Sequence, residues 1–197
     1  TIVAGAVALR FFPFPFIVVI LAVAAWLLAL DLVPWLLPAH SGDRDLQATI
    51  FFGIAAIVLA WILDLRRWRD GDFPFWLHIV GIAALWGGIT AQDSTSEVTK
   101  ALYALLNVGF LALSVYLMRR VYAAFGALGI SLYLGHLAAD VFEESLLFPL
   151  ALSAIGLAVI GIGIWYFRRR QAVADWIARI LPAGLQRLRP VHARQAV

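Results

Sequence analysis

The densest set of groups able to hold a cation lies at Gly135-His136-Leu137-Ala138-Ala139-Asp140-Val141-Phe142-Glu143-Glu144. On a helix, His136, Asp140 and Glu143 fall at i, i+4 and i+7, which is one face. An imidazole and two carboxylates gathered there offer nitrogen and oxygen donors to a divalent cation, or a path for a proton. The plainer reading is a solvated acidic turn with His136 at an interface, because one histidine and two acids make no specific metal signature. Asp31 is the second candidate. It stands in a long apolar segment, where a carboxylate faces a cavity, meets a partner or takes up a proton. The plainer reading has Pro34 shorten that segment and bring Asp31 to its edge. Asp31, His136, Asp140 and Glu143 form one candidate cation or proton site if their segments pack side by side. Secondary candidates are His78, a residue type that ligates haem or relays protons, and Asn107, which can bond across helices. For both, satisfied packing is the plainer role. No catalytic residue and no metal ligand set emerges, and no cofactor is indicated.

The segments that would position these groups are apolar to a degree unusual for a soluble domain. Of 197 residues, 63% are hydrophobic and 14% charged, against roughly half and a quarter in soluble domains. That excess belongs to a bilayer. Six apolar stretches run at about 14–37, 47–63, 73–91, 98–118, 121–139 and 146–167. Asp72 is placed to cap the third, with Pro74 in its first turn. Ser94-Thr95-Ser96-Glu97 reads as a capping box for the fourth. Residues 1–9 form an apolar run that would cover only about 14 Å as a helix, which reads as the end of a further span.

Charge sets the orientation. Of the fifteen basic residues only Arg44 and Lys100 fall on one side of these segments. The rest flank the other ends: Arg10, Arg66, Arg67, Arg69, Arg119, Arg120, the triplet Arg168-Arg169-Arg170 and the tail arginines. Basic short loops stay cytoplasmic, so the C-terminus is expected there. Asp43, Asp45, Asp93, Glu97, Asp140, Glu143 and Glu144 then face outward and would concentrate cations. The arginines thus account for the net charge of +3 without a nucleic-acid surface, because they mark membrane boundaries. Their predominance over lysine fits a GC-rich bacterial genome, hence a bacterial inner membrane. With no cysteine in the chain, disulfide and thiolate chemistry is excluded.

Past the arginine triplet the pattern changes. Val173, Trp176, Ile177, Ile180 and Leu181 recur with helical period, opposite Gln171, Asp175 and Arg179. This predicts an amphipathic helix over 171–181 lying on the cytoplasmic leaflet or docking a partner. The expected organisation is a transmembrane domain over 1–170 and a cytoplasmic tail over 171–197. Glycines in the third, fifth and sixth stretches are packing signals for close helix approach. There is no P-loop, dinucleotide fingerprint, HExxH or G-x-S-x-G motif.

Phe75-Trp76-Leu77 through Trp86-Gly87-Gly88, with Phe125-Gly126-Ala127-Leu128-Gly129 and Ser145-Leu146-Leu147-Phe148-Pro149, resembles a family of bacterial multi-pass membrane proteins without an assigned function. The likeness covers roughly residues 73–170. It implies a polytopic helical fold and no particular reaction or site residue.

The expected fold is all-α: a transmembrane bundle of six complete spans plus the end of a seventh, with a C-terminal amphipathic interfacial helix. The expected function is that of a non-catalytic accessory or scaffold subunit. Its partners would be the lipid bilayer and other membrane subunits or a second copy of itself, with no nucleic acid. The alternative is a cation-coupled transporter, channel or sensor using Asp31 and the His136–Glu144 mouth.

Overall fold

A computed structural model describes residues 7, 11, 14–36, 44–65, 72–92, 97–142, 148–180, 189 and 190. Among them the structure is entirely helical: α1 (Ile17–Leu36), α2 (Arg44–Asp64), α3 (Phe73–Thr90), α4 (Glu97–Leu117), α5 (Arg120–Phe142) and α6 (Phe148–Ile180). Four stretches are long and apolar enough to cross a membrane: Arg44–Asp64, Phe73–Thr90, Thr99–Leu117 and Arg120–Ala138. Ile17–Leu32 and Leu152–Trp165 are shorter apolar helical stretches. Six complete spans and part of a seventh are therefore not reached among the described residues. The run at 1–9, apart from Val7, and the capping box at Ser94-Thr95-Ser96 lie outside them.

The chain divides into two compact units, Thr1–Asp93 and Ser94–Val197. In the first unit, α3 starts as its sequence predicts. The Asp72 carboxylate accepts the Phe75 N–H at 3.2 Å and Pro74 sits in the first turn, where its missing N–H costs nothing. Helices α2 and α3 then pack backbone to backbone. A Cβ added at Gly53 would lie 2.7 Å from Leu85 Cα, and one at Gly81 would lie 3.0 Å from the Ile57 backbone N. At Gly88 the equivalent atom would lie 2.9 Å from Ile50 Cγ1. Small residues allow this approach in lipid, where dispersion and hydrogen bonds rather than water exclusion hold helices together. Helix α1 covers the pair through Ala22, which joins Ala56, Ala60, Leu77 and Val80 in the core. Phe16 meets Trp76 edge-on, with centroids 5.2 Å apart at 89°.

In the second unit, α4 reverses into α5 within a few residues. Met118 adopts φ 55°, and the Arg119 N–H reaches back to Ser114 O at 3.1 Å. That pattern is a Schellman helix stop built without its usual glycine. Phe110 and Tyr122 face each other across the pair at 6.4 Å. Helix α6 is 33 residues long, about 50 Å at 1.5 Å per residue, against roughly 30 Å of hydrocarbon. It runs through the arginine triplet without a break. The 171–181 segment is helical through Ile180, as a continuation of α6 and not as a separate helix. The physical reason is local: neither Gly nor Pro occurs between Gly163 and Pro182, and Arg, Gln and Ala are strong helix formers.

Candidate functional site

The glycine register of the first unit leads directly to a polar pair. Gly88 packs against Ile50, Leu85 against Gly53 and Gly81 against Ile57, so α2 and α3 run antiparallel in fixed register. Further along that seam His78 of α3 meets Asp64 at the end of α2. Their Nε2 and Oδ2 atoms lie 3.0 Å apart, with side-chain exposures of 0% and 3%. With Asp64 ionised, its carboxylate accepts from the imidazole N–H; with Asp64 protonated, its hydroxyl donates to the ring nitrogen. Such a pair fixes the ring's orientation, and it can hold or pass a proton. It also engages Nε2, one of the two nitrogens through which an imidazole can ligate haem iron.

His78 was legible in the sequence as an ionisable residue in an apolar segment. Asp64 was not, because it sits at the boundary before Arg66-Arg67 and passes for an interfacial acid. The signal that finds it is the stripe of small residues Gly53, Ala56 and Ala60. This stripe shares its helix face with Asp64, just as Gly81 and Gly88 share a face with His78.

On the other side of the same seam, the Trp26 indole N–H donates to Thr49 Oγ1 at 3.1 Å. Thr49 in turn donates to Asp45 O at 2.7 Å. These two side chains border a groove of about 380 Å³ whose remaining walls, among them Val23, Ala83 and Gly87, are apolar. Gly87 opens onto it, and a Cβ added there would meet nothing within 4 Å. The polar edges of the groove are already satisfied by each other, so it presents an apolar surface.

Asn107 is fully buried in the second unit. Its amide donates to Tyr103 O at 2.8 Å within α4, and its side chain fills the space where Gly129 lacks a Cβ. A Cβ at Gly126 would stand 2.7 Å from Asn107 O. The residue therefore sits at a close approach of α4 and α5, and its amide bond to Tyr103 O stays on its own helix. Hydroxyls elsewhere do likewise: Ser131 bonds Ala127 O and Ser153 bonds Pro149 O, at 2.8 and 2.7 Å. In lipid, this is how a short polar side chain avoids being left unsatisfied.

The remaining sequence candidates divide between the units. Asp31 lies on an exposed face of α1 beside exposed Leu27, Leu28 and Leu32, and it is not among the groove's lining residues. His136 lies on α5 of the second unit and is exposed. The Asp140 side chain and residues 143–147 lie outside the described residues. Among the described residues, no group of three or more His, Asp or Glu gathers in a way that would hold a metal ion.

Helix α6 carries a different kind of feature. Leu157, Ile160, Ile162, Ile164 and Trp165 are all more than half exposed. A Cβ at Gly156, Gly161 or Gly163 would meet nothing within 4 Å. The face toward α5 is loosely held, with a Cβ at Gly135 reaching Leu152 Cδ1 at 3.8 Å. Comparison with known proteins found no match to this chain among family models, curated proteins or solved structures.

Proposed function

We propose that this chain is a non-catalytic multi-pass membrane protein, an accessory or scaffold subunit that receives a partner helix against α6. One observation carries the reading: two open glycines of α6, Gly156 and Gly163, seven residues apart, share one face of an exposed apolar helix. The α2–α3 seam shows what glycines at such positions accept when a partner helix is present. In lipid an exposed apolar side chain carries no penalty, but an open glycine surface forgoes the dispersion contacts that a close neighbour supplies. In this reading the chain crosses a bacterial inner membrane six times, with part of a seventh span and a cytoplasmic C-terminus. Its arginine-rich ends support that orientation. The partner is another membrane subunit or a second copy of the chain.

The absence of cysteine makes the test direct. Single cysteines at Ser153, Gly156, Ile160 and Gly163 in native membranes should form oxidative cross-links with helical periodicity. A band at twice the chain mass identifies a self-partner, and any other discrete mass a different subunit. If none of the four positions cross-links in membranes while a control pair across the α2–α3 seam does, the scaffold reading fails.

A second reading is favoured by the Asp64–His78 pair, since an ionisable pair within apolar segments is a usual mark of proton or cation handling. In that reading the chain is a cation-coupled transporter, channel or sensor. Asp31 and the His136–Glu144 mouth are the further candidates that the sequence offers for this reading.

A further inference from the structure

The second unit has one end at which positive charge accumulates. Helix α4 ends there at Leu117 and α5 begins there at Arg120. The contact between Gly135 and Leu152 sets α5 beside α6. Counting equally along both from that contact returns α5 to its start and carries α6 to the arginine triplet. Arg119 is 7% exposed in the turn, while Arg120, Arg168 and Arg169 are exposed.

Into this positive end comes Arg189, 3% exposed, with the following Pro190 fully buried. Its charge acts on the Tyr116 hydroxyl in the last turn of α4. Its Nε and Nη2 are buried without a hydrogen-bond partner among the described residues. Those two atoms form the side edge of the guanidinium, the edge that grips a carboxylate or phosphate with two parallel bonds. Arginine does not lose its proton to escape burial, so an empty edge is costly and the chemistry that relieves it is an oxyanion.

We infer that Arg189 holds a phosphate group on its Nε–Nη2 edge, with the surrounding arginines supplying the attracting field. The phosphate ester of an anionic phospholipid headgroup is the source its position favours. The inference rests on the membrane reading, which puts this end at the cytoplasmic headgroup layer, and not on the partner proposed for α6. A juxtamembrane arginine cluster draws anionic headgroups in general. A buried guanidinium edge without a hydrogen-bond partner adds a defined stoichiometry, because it accepts one oxyanion.

The test uses the full chain in nanodiscs of phosphatidylcholine with a minor fraction of phosphatidylglycerol, and counts retained anionic lipids by native mass spectrometry. The intact protein should keep one phosphatidylglycerol that Arg189→Gln loses by about tenfold in affinity, equivalent to roughly 1.4 kcal/mol. Arg189→Lys should restore part of it, since the charge returns without the fork. Millimolar inorganic phosphate is added in a second arm. Displacement of the lipid keeps the oxyanion site and assigns it to free phosphate, whereas lipid retention assigns it to the headgroup. If Arg189→Gln does not fold, the readout passes to the intact protein, whose unfolding temperature should rise with phosphatidylglycerol and not with phosphatidylcholine. Equal lipid retention by wild type and Arg189→Gln overturns the proposal. So does an Asp175→Asn variant that destabilises the chain as much as Arg189→Gln, because Arg189 would then be paired internally. The α6 cross-links should be unchanged in every variant, so this site and the scaffold reading fail separately.

Discussion

Glycines in the first unit and glycines in α6 look alike in the sequence and behave oppositely in the structure. Gly53, Gly81 and Gly88 are each pressed against the neighbouring helix, closely enough that an added Cβ would overlap it. Gly156, Gly161 and Gly163 meet nothing. A small residue in a membrane helix permits close approach without showing that anything approaches. The seam of the first unit also carries a polar consequence that α6 lacks: its register brings Asp64 to His78.

That comparison can be broken most forcefully at the polar end of the seam. Asp64→Ala would leave a buried imidazole without its acceptor. The expected loss is about 3–5 kcal/mol if the pair is ionised and about 1–3 if it is neutral. Denaturant titration in detergent micelles measures it, and Asp64→Asn should recover a substantial part because the amide oxygen can still accept. A loss within about 0.5 kcal/mol for Asp64→Ala would mean the seam does not depend on its polar end.

Next in size is the contrast between the glycines themselves. Gly53→Leu has no room beside the Leu85 backbone and should cost at least about 1–3 kcal/mol. Gly156→Leu should stay within about 0.5 kcal/mol for the isolated chain, while abolishing the cross-links expected at α6. Equal costs for the two would erase the distinction between an occupied and an open helix face.

The smallest effect sharpens the contrast from the second unit. Met118 holds φ 55°, a conformation costing a side-chain-bearing residue about 1–2 kcal/mol. Met118→Gly should raise stability by up to about 1 kcal/mol, since the flexibility glycine adds to the unfolded chain offsets part of the relief. A destabilised variant would show that the methionine side chain, half-buried in the turn, contributes more by packing than its backbone costs.

Helix positions were the most legible part of the fold. Arginine pairs and the Asp72-Pro74 start bracket apolar runs, and the observed ends of α2 to α5 fall within three residues of the expected ones. The exit of α6 differs from expectation for a definable reason. Arg168-Arg169-Arg170 marks where a helix leaves hydrocarbon, and leaving hydrocarbon is no reason for a good helix former to stop. The Asp64–His78 pair was half legible. An ionisable residue at His78 stands out against apolar neighbours, but its partner depends on which helices adjoin and in what register. That information resides in the glycine faces of two separate segments. Asp31, His136 and Asn107 stand out in the sequence by chemical type. Of the three, only Asn107 is buried.

The unbroken run of α6 has a mechanical consequence. Trp165 and Trp176 are both more than half exposed, and a step of eleven positions from one to the other makes about three full turns, so the two indoles project on nearly the same bearing. One lies at the end of the apolar part of the rod and the other beyond the arginines. A helix held by continuous backbone hydrogen bonds turns as one body. A neighbour that rotated α6 inside the bilayer would swing the outlying indole through the same angle, as a key turned in a lock moves its bow.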